Sequence, residues 1–360
     1  MKRILLGGSF DPIHDGHFLM ANVAREQLKA DIVEFVLAPR SRWKEGAIDV
    51  EERLSMLKAY LNDVPWARIC LYEIKQNADI NYTIETIKHF RAEYKDDELF
   101  LLIGADQLDQ FDKWHEAKEI SKLAQIVCYR RPGYNLSEKN LREYNVKVIE
   151  GEESNISSSA IRGLFSLDTK DEVIDYIVDH KLYFMHKIAN YIGKVRIKHS
   201  VEVAKMARRI AESNNLDKKK AFLAGLLHDI AKEMPSDNAE FIMGTEFPQY
   251  HYLYKGLHHQ FIGEFLARTS FNVSQEDVLD AIMWHTTGKP EMSWLGKVIY
   301  SADKIEPSRP YDSNHLIEAC LKDYEQGFLA VLKENREFLL SKKVDLTDKF
   351  TQACFDYYLK

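Results

Sequence analysis

A glycine-rich turn with two histidines lies near the start of the chain. Residues Gly7-Gly8-Ser9-Phe10-Asp11-Pro12-Ile13-His14-Asp15-Gly16-His17 follow a short apolar run and precede a helical pattern. Glycines let the backbone approach a bound group, and the N-terminus of a helix offers unpaired N–H groups to a phosphate. His14 and His17 can donate hydrogen bonds to phosphate oxygens as charge develops in a transition state. A lone His-x-x-His would usually be incidental, but this context predicts phosphate chemistry. We expect nucleotide contacts at Gly8, Ser9 and Phe10.

A second candidate anion site is the run Ser157-Ser158-Ser159-Ala160-Ile161-Arg162. Serines at the start of a helix cap it and can donate to an anion, and Arg162 follows about one turn later. Such a run is usually no more than a cap with a solvated arginine. After a phosphate-binding turn, it indicates a clamp for a polyphosphate.

The elements that must position these groups alternate between strand and helix. Apolar patterns predict strands at 2–6, 32–37, 68–73, 99–103, 125–129 and 146–149, and helices at 16–29, 50–61, 82–94 and 116–123. This alternation predicts βαβ units and a parallel sheet, which binds ligands at the carboxyl ends of its strands. The glycine-rich turn, Gly104-Ala105-Asp106 and the basic loop Arg40-Ser41-Arg42-Trp43-Lys44 each follow a strand. We therefore expect all three to meet in one crevice.

The second half of the chain has helical spacing throughout and concentrates imidazoles. We predict helices at 171–182, 195–213, 218–231, 260–268, 275–284, 294–303 and 315–332, with a charged helical cap at 333–360. An adjacent His228-Asp229 pair on a helix points two ligands about 100° apart. His199 and Asp303 can complete a mixed imidazole–carboxylate site, which suits Fe, Mn, Zn, Co or Ni. Further imidazoles from His258-His259 and from His285 allow a second metal, and a metal pair can activate water and bind a leaving phosphate.

The motifs of the first half resemble those of nucleotidyltransferases with a Rossmann-like fold, and in particular bacterial nicotinate-mononucleotide adenylyltransferase. The shared motifs, over about residues 1–185, are Gly-Ser-Phe-Asp-Pro-x-His-x-Gly-His, Ile-Ser-Ser-Ser-x-Ile-Arg, Tyr82-Thr83-Ile84-Glu85-Thr86, Gly104-Ala105-Asp106-Gln107, Trp114 and Tyr129-Arg130-Arg131-Pro132-Gly133. The resemblance implies transfer of an adenylyl group from ATP to nicotinate mononucleotide, which gives deamido-NAD and pyrophosphate with the help of Mg²⁺.

The same resemblance implies a role for each matching residue. His14 and His17 would contact the ATP phosphates and stabilise the transition state, while Ser158 and Arg162 would hold the triphosphate. The remaining contacts would be Asp106 to a ribose hydroxyl, Trp114 to the pyridine ring, Thr83 to the nicotinate group and Lys44 to ATP. The chain departs from the family at Asp15, a negative charge between the histidines, and in the basic loop, which lacks the usual Pro-His-Lys.

The second half resembles the HD superfamily of metal-dependent phosphohydrolases. Leu226-Leu227-His228-Asp229-Ile230-Ala231-Lys232, Trp284-His285-Thr286-Thr287-Gly288 and Ala302-Asp303-Lys304-Ile305-Glu306-Pro307-Ser308-Arg309 resemble the HD hydrolases that split diadenosine tetraphosphate into two ADP. The match, over about 186–345, implies an all-α domain with a di-iron-type centre, in which Asp229 also serves catalysis. It implies phosphate contacts from Lys232 and Arg309. Its metal ligands would be His199, His228, Asp229, His259, His285 and Asp303.

Bulk composition limits the remaining choices. A length of 360 residues predicts two domains, which we place at 1–185 and 186–360, and a net charge of −7 argues against a nucleic-acid partner. Four scattered cysteines and the lack of a signal peptide or membrane-length apolar run predict a soluble, cytoplasmic protein with reduced thiols and no membrane partner. An oligomer is compatible with the sequence.

Three other functions are compatible with these motifs. The HD-like half could act as a general nucleotide phosphohydrolase, and the first half could transfer an adenylyl group to phosphopantetheine or a related acceptor. A nucleotide-sensing module with one inactive site belongs to a different class. Substrate ranking, contacts of Thr83 and Trp114 with a pyridine ring, and metal analysis distinguish them.

Overall fold

The computed structural model describes residues 1–39, 48–76, 80–130, 136–151, 156–342 and 349–360. It divides into two compact units, which we call unit 1 (Met1–His180) and unit 2 (Lys181–Lys360). The sequence-based division at residue 185 falls slightly later than this one. The two units are described separately below.

Unit 1 is built on a parallel six-stranded sheet with the order β3-β2-β1-β4-β5-β6, which confirms the predicted Rossmann-like α/β class. The strands are β1 Lys2–Gly8, β2 Ile32–Leu37, β3 Ala67–Cys70, β4 Glu98–Gly104, β5 Gln125–Arg130 and β6 Lys147–Glu150. Its helices are α1 Asp15–Leu28, α2 Val50–Leu61, α3 Tyr72–Lys75, α4 Thr83–Glu93, α5 Ala105–Asp109, α6 Ala117–Leu123, α7 Glu138–Glu143, α8 Ser158–Arg162 and α9 Asp171–Asp179.

The central strands explain why the predicted crevice lies where it does. β1 pairs with both β2 and β4, and its register matches Leu5 with Leu101. Four successive residues of β1 are buried, as expected for a strand covered on both faces. One face of β4 packs with α4 and α6 around Ile87, Leu101 and Ile120. β1 and β4 therefore end side by side at Gly8 and Gly104, at the edge where parallel sheets bind ligands.

Unit 2 is helical throughout its described residues, as predicted. Its helices are α10 Phe184–Ile188, α11 Lys194–Ser213, α12 Lys218–Leu227, α13 Ser236–Glu246, α14 His258–Thr269, α15 Glu276–Met283, α16 Trp294–Ile305, α17 Asn314–Lys322, α18 Tyr324–Ser341 and α19 Lys349–Tyr358. Among the residues that the structure describes, no helix of either unit is long and apolar enough to cross a bilayer.

Several predicted elements differ from the structure. The strand prediction over 68–73 is wrong beyond Cys70, where the chain turns into α3. The helix prediction over 171–182 is wrong beyond Asp179. The prediction that His228 and Asp229 share a helix is also wrong, because α12 ends at Leu227 and His228 is its C-cap. Both residues lie in the turn that follows, although His228 keeps helical backbone angles, with φ −54° and ψ −39°.

The prediction of one helix over 315–332 is wrong because Asp323 divides it. Asp323 has an extended backbone, with φ −156°, and its carboxylate accepts hydrogen bonds from the N–H groups of Glu325 and Gln326. These contacts cap a new helix, α18. A Cβ on Gly327 would lie only 2.4 Å from Cα of Cys320, so the glycine allows α17 and α18 to approach closely. Continuous apolar spacing across the break concealed this turn.

Candidate active sites

The glycine-rich turn of unit 1 brings its two histidines together at the start of a helix. α1 begins at Asp15, and the rings of His14 and His17 stack with centroids 3.8 Å apart. Phe10 has a left-handed backbone with φ 44°, and its buried ring lies 5.1 Å from that of His17. The ring of Phe10 thus packs edge-on against the imidazole of His17. Gly8 and Ser9 connect β1 to the turn.

The serine–arginine segment holds the turn through its backbone carbonyls. Ser158 Oγ donates to the carbonyl of Pro12 at 2.9 Å, and Arg162 Nη1 donates to that of Asp11 at 2.5 Å. The N-cap of α8 is Ser157, whose Oγ accepts from the N–H of Ala160. The guanidinium of Arg162 has further N–H groups that could reach a phosphate at the turn, whereas the single hydroxyl hydrogen of Ser158 is donated to Pro12. The triphosphate clamp by these two residues stays a prediction.

Sequence analysis missed Arg53, a buried arginine that fixes the same turn. From α2, its guanidinium donates to the carbonyls of Ser9, Ala38 and Pro39 at 2.7–2.8 Å. These contacts tie the end of β2 to the glycine-rich turn. Asp15, the departure from the resembled family, accepts a hydrogen bond from Tyr60 at 2.7 Å. No spacing signal in the sequence marks either contact.

A cavity of about 590 Å³ lies beside the carboxyl edge of the sheet. Both Thr83 and Trp114 border it and also border a smaller cavity that reaches Gly7 and Gln107. Trp114 packs against Phe111, with ring centroids 5.2 Å apart, so it has one face supported. Exposed Asp106 follows β4 and folds back over Gly104, where a Cβ would lie 2.6 Å from Oδ1. Lys44 and the rest of the predicted basic loop lie outside the described residues.

The six predicted metal ligands of unit 2 converge around Asp229. Oδ2 of Asp229 lies 3.9 Å from Nε2 of His199 and 3.7 Å from Nε2 of His228. Nε2 of both His259 and His285 lies 3.4 Å from its other oxygen, Oδ1. These residues form two groups, each with the donor atoms needed for one ion, and Asp229 belongs to both. A bridging carboxylate is therefore available for a pair of metals.

Asp303 completes the first group. Its Oδ1 lies 3.2 Å from Nε2 of His199 and 3.6 Å from Nε2 of His228. His228 Nε2 is buried and has no partner at hydrogen-bond distance among the described atoms, although two carboxylate oxygens face it. Buried polar atoms without partners are rare, and a metal ion would satisfy this one.

The opposite nitrogen of each imidazole is occupied, which fixes the ring orientation. Nδ1 donates to a backbone carbonyl in three of the four ligands: His228 to Gly225, His259 to Gly256 and His285 to Ile282, at 2.7–2.8 Å. In His199, Nδ1 donates to the Glu306 carboxylate at 3.1 Å. Such contacts direct the lone pair of Nε2 towards a metal and are typical of metal sites. His258, the alternative to His259, instead contacts the carbonyl of Leu253 through Nε2.

Protonation states favour metal binding in the second group. Burial lowers the pKa of His285 and holds that of His259 well below its usual range, so both rings are neutral ligands. Burial alone would raise the pKa of Asp229, but the neighbouring imidazoles of His228 and His285 hold it well below its usual range. Burial would also raise the pKa of the Asp303 carboxyl. The charge of Lys304 and a hydrogen bond with His199 outweigh this effect and hold that pKa well below its usual range.

Cationic side chains surround the cluster. Lys232 Nζ lies 3.0 Å from Nε2 of His259, and Arg309 Nη2 donates to Oδ1 of Asp303 at 2.8 Å. Both were predicted to face phosphates. Arg196, which sequence analysis missed, donates to Oδ2 of Asp229 at 2.7 Å. It lies about one turn before His199 on α11, and that spacing is the signal that could have found it. The missed Glu306 has a similar signal, one turn after Asp303.

Comparison with known proteins gives two family matches. A cytidylyltransferase-like family model matches residues 5–164, and an HD-domain model matches residues 196–308. A protein of Mycoplasma genitalium, described as a probable nicotinate-nucleotide adenylyltransferase/Ap4A hydrolase, is 31% identical over 346 residues, which cover 92% of this chain and 97% of that protein. A Mycoplasma pneumoniae protein with the same description is 29% identical over 343 residues, covering 92% of this chain and 98% of its own.

A solved structure resembles part of the chain. It is described as an HD superfamily hydrolase involved in NAD metabolism from Clostridium acetobutylicum, with 34% identity and a TM-score of 0.43, over 52% of this chain and 96% of that one. The full-length relatives decide the assignment, because their similarity runs through both units. The chain belongs to the family of two-domain proteins that join a cytidylyltransferase-like domain to an HD domain, the family of the Mycoplasma adenylyltransferase/Ap4A hydrolase proteins.

Proposed function

We propose that the chain is a bifunctional enzyme of adenine nucleotide chemistry. Unit 1 transfers the adenylyl group of ATP to nicotinate mononucleotide and releases pyrophosphate and deamido-NAD. Unit 2 hydrolyses diadenosine tetraphosphate symmetrically to two ADP. The observation that carries this proposal is the similarity to the adenylyltransferase/Ap4A hydrolase proteins over 92% of the chain, supported by the His/Asp groups of unit 2 and the paired histidines of unit 1.

In unit 1, the stacked histidines act on the reacting phosphates. A phosphate oxygen of nicotinate mononucleotide attacks the α-phosphorus of ATP, and the bond to pyrophosphate breaks without a covalent enzyme intermediate. His14 and His17 donate to the oxygens that gain charge, and ATP enters as its Mg²⁺ complex. Arg162 and Ser158 orient the triphosphate, and the face of Trp114 turned away from Phe111 stacks on the pyridine ring. Alignment of the two substrates supplies most of the catalysis.

Lining residues of the larger cavity favour nicotinate mononucleotide over a phosphopantetheine acceptor. Trp114 offers an aromatic face, and Thr83 begins α4 with its N–H group directed out of the first helical turn. A carboxylate is stabilised by such a helix N-terminus. Lys113 adds positive charge to the same wall. A planar ring with a carboxylate suits these groups better than a flexible thiol arm.

In unit 2, the His/Asp cluster fits two transition-metal ions. His199, His228 and Asp303 would hold one ion, His259 and His285 would hold the other, and the two carboxylate oxygens of Asp229 would be available to both. Mixed imidazole and carboxylate donors suit iron, our first choice, and manganese. Such a pair, when bound, polarises a phosphate oxygen and lowers the pKa of water. The polyphosphate is bound by Lys232, Arg309 and Arg196. Because Asp229 belongs to both groups of ligands, it fixes the distance between the two metal positions.

A two-activity assay tests both assignments in one protein. We expect His17→Ala to lose adenylyl transfer and keep hydrolysis, and Asp229→Ala to do the reverse. The retained activity shows that the unit without the substitution is folded, and a thermal unfolding profile like that of wild type shows the same for the other unit. His251→Ala is the control, because this exposed histidine pairs with Glu240 and is not among the proposed site residues, and it should keep both activities. Near-normal adenylyl transfer by His17→Ala would refute the unit 1 assignment.

Substrate ranking tests the specificity of unit 2. We expect kcat/KM for diadenosine tetraphosphate to exceed that for mononucleotides at least about tenfold, with ADP as the sole product. Equal rates on mononucleotides would instead identify a general nucleotide phosphohydrolase. A protein that takes up no metal when iron or manganese is supplied would support a sensing module with one inactive site.

A further inference from the structure

The segment after α16 forms several hydrogen bonds with the proposed metal ligands His199 and Asp303 of unit 2. Glu306 accepts from Nδ1 of His199, and it also accepts from the backbone N–H and the hydroxyl of Ser308. Arg309 donates to the backbone carbonyl and to Oδ1 of Asp303. Ser313 Oγ returns to the carbonyl of Ile305 at 2.9 Å. Residues 306–313 are therefore a tightly held rim beside the first group of ligands, which we call the 306–313 rim.

Tyr311 is the aromatic residue of this rim. Its hydroxyl is hydrogen-bonded to the protein, whereas much of the residue is exposed to solvent. Its hydroxyl donates to the backbone carbonyl of Lys304, the residue after Asp303. Its side chain is nevertheless 52% exposed. The hydrogen bond thus restrains the ring while much of its surface stays open to solvent. A restrained, exposed ring loses little conformational entropy when a planar ligand covers it.

The hydrogen bond of Tyr311 anchors its ring next to a proposed metal ligand. Consecutive Cα atoms lie 3.8 Å apart, so the Lys304 carbonyl, which anchors Tyr311, is within one residue of a proposed metal ligand. Arg309, two residues before Tyr311, points its charge at Asp303. Phosphates bound by the metals and by Arg309 would leave the attached ribose and base to extend along the rim. We propose that Tyr311 is the stacking platform for a purine ring of the substrate, and hence a base-specificity residue of unit 2.

This inference rests on the proposed nucleotide hydrolysis by unit 2 and adds the group that recognises the base. A stack on one aromatic face contributes enough to raise Kd roughly 5- to 100-fold when the ring is removed. The alternative is a structural role, in which Tyr311 only holds Lys304 and, through it, Asp303. The two roles differ in one respect: stacking matters only for ligands with a base, whereas a displaced metal ligand weakens every phosphate.

Titration calorimetry on the full-length, manganese-loaded protein separates these roles. Every protein in the series also carries His17→Ala, which removes adenylyl transfer and so its reversal by deamido-NAD and pyrophosphate. Deamido-NAD first saturates unit 1, and ADP or inorganic pyrophosphate is then titrated. We expect Tyr311→Ala to raise the Kd of ADP about fivefold or more and to leave that of pyrophosphate within about twofold. Tyr311→Phe keeps the ring and should stay within about threefold for both ligands. Phe338→Ala is the matched control, because Phe338 is 55% exposed on α18 and should change neither Kd.

Two results would overturn the inference. One is an ADP Kd for Tyr311→Ala that rises less than about fivefold. The other is an equal loss of ADP and pyrophosphate affinity, which identifies a structural role. Hydrolysis of diadenosine tetraphosphate by the wild type is measured in parallel. If ADP binding depends on Tyr311 but this substrate is not split, the proposed substrate fails and the platform stands. If the substrate is split and Tyr311→Ala binds ADP normally, only the platform fails.

Discussion

His199 donates a hydrogen bond from Nδ1 to Oε1 of Glu306, at 3.1 Å, while its Nε2 lies 3.2 Å from Oδ1 of Asp303, another proposed metal ligand. The carboxylate orients the ring and raises its basicity as a ligand. Removing such a supporting group from a metal site costs about 10- to 100-fold in metal affinity. We therefore expect Glu306→Ala to weaken binding of one ion by that factor, as measured by competition with a chelator of known affinity.

A matched control separates this effect from the loss of any buried carboxylate. Glu264 is also buried, but it pairs with Arg268 on α14. Glu264→Ala should change stability without changing metal affinity. Wild-type affinity in Glu306→Ala would show that the ring of His199 is positioned by its helix alone.

The parallel sheet could be predicted because its strands are short apolar runs between amphipathic helices. Each of the six predicted strands overlaps an observed one. The failures occur where local hydrogen bonding overrides apolar spacing, as at Asp323, whose side chain caps a new helix within a continuous apolar pattern. His228 and Asp229 fail as helical residues for a related reason, since α12 stops just before them.

The candidate sites show a similar limit. Ligand types with unusual neighbours, such as His228-Asp229, stand out in a sequence, and the structure gathers all six predicted metal ligands. Arg53, Arg196 and Glu306 act on backbone carbonyls or on the ligands themselves, at distances set only by the fold. A spacing of about one turn from a predicted ligand marks Arg196 and Glu306 as candidates, but it does not give the atom that each contacts. Nothing in the sequence marks Arg53, whose role became visible only with the packing.

Arg162 links the end of the nucleotide-binding domain to its beginning, and this link yields a second prediction. Its guanidinium donates to the carbonyl of Asp11, and only about a quarter of the side chain is exposed. Hydrogen bonds from charged groups contribute about 1.5–3 kcal/mol. We expect Arg162→Ala to raise KM for ATP at least about tenfold and to change KM for nicotinate mononucleotide much less, in steady-state kinetics. Ser159→Ala, an exposed change in the same helix, should alter neither constant.

Alanine substitutions at Gly7 and Gly8 should affect different properties of unit 1, namely substrate binding for Gly7 and stability for Gly8. A Cβ on Gly7 would meet no atom within 4 Å, whereas one on Gly8 would lie 3.0 Å from the ring of Phe10. Gly7 borders the small cavity at the sheet edge, so an added methyl enters space that a ligand would use. We expect Gly7→Ala to raise KM for a transferase substrate while stability stays equal or rises by about 0.5–1 kcal/mol, because alanine suits a strand better than glycine.

Gly8→Ala should behave in the opposite way. The added methyl crowds Phe10, which is buried, so the thermal midpoint should fall. Thermal unfolding and substrate kinetics on both variants measure the contrast. A loss of stability in Gly7→Ala equal to that in Gly8→Ala would show that the space beside Gly7 is needed by the fold.

The lowered pKa of Asp97 leads us to expect that the stability of unit 1 depends on pH. It accepts hydrogen bonds from the amino group of Met1 and from Nε of Arg3. Burial would raise its pKa, but these two partners lower it below the ordinary value of 3.8. A depressed carboxyl pKa stabilises the fold above the unfolded-state pKa, and this contribution is lost as pH falls through the folded-state pKa. Charge-assisted bonds of this kind contribute about 2 kcal/mol.

Asp97→Asn should therefore destabilise unit 1 at pH 7 by about 1–2 kcal/mol, and the difference from wild type should shrink below about pH 4. Calorimetric scans of the full chain at pH 3–7 measure it, with the transition of unit 1 identified by its upward shift with ATP. Asp96→Asn is the control, because this neighbouring carboxylate is exposed. A difference between Asp97→Asn and wild type that stays constant down to pH 3 would mean that the loss comes from packing and not from the charge.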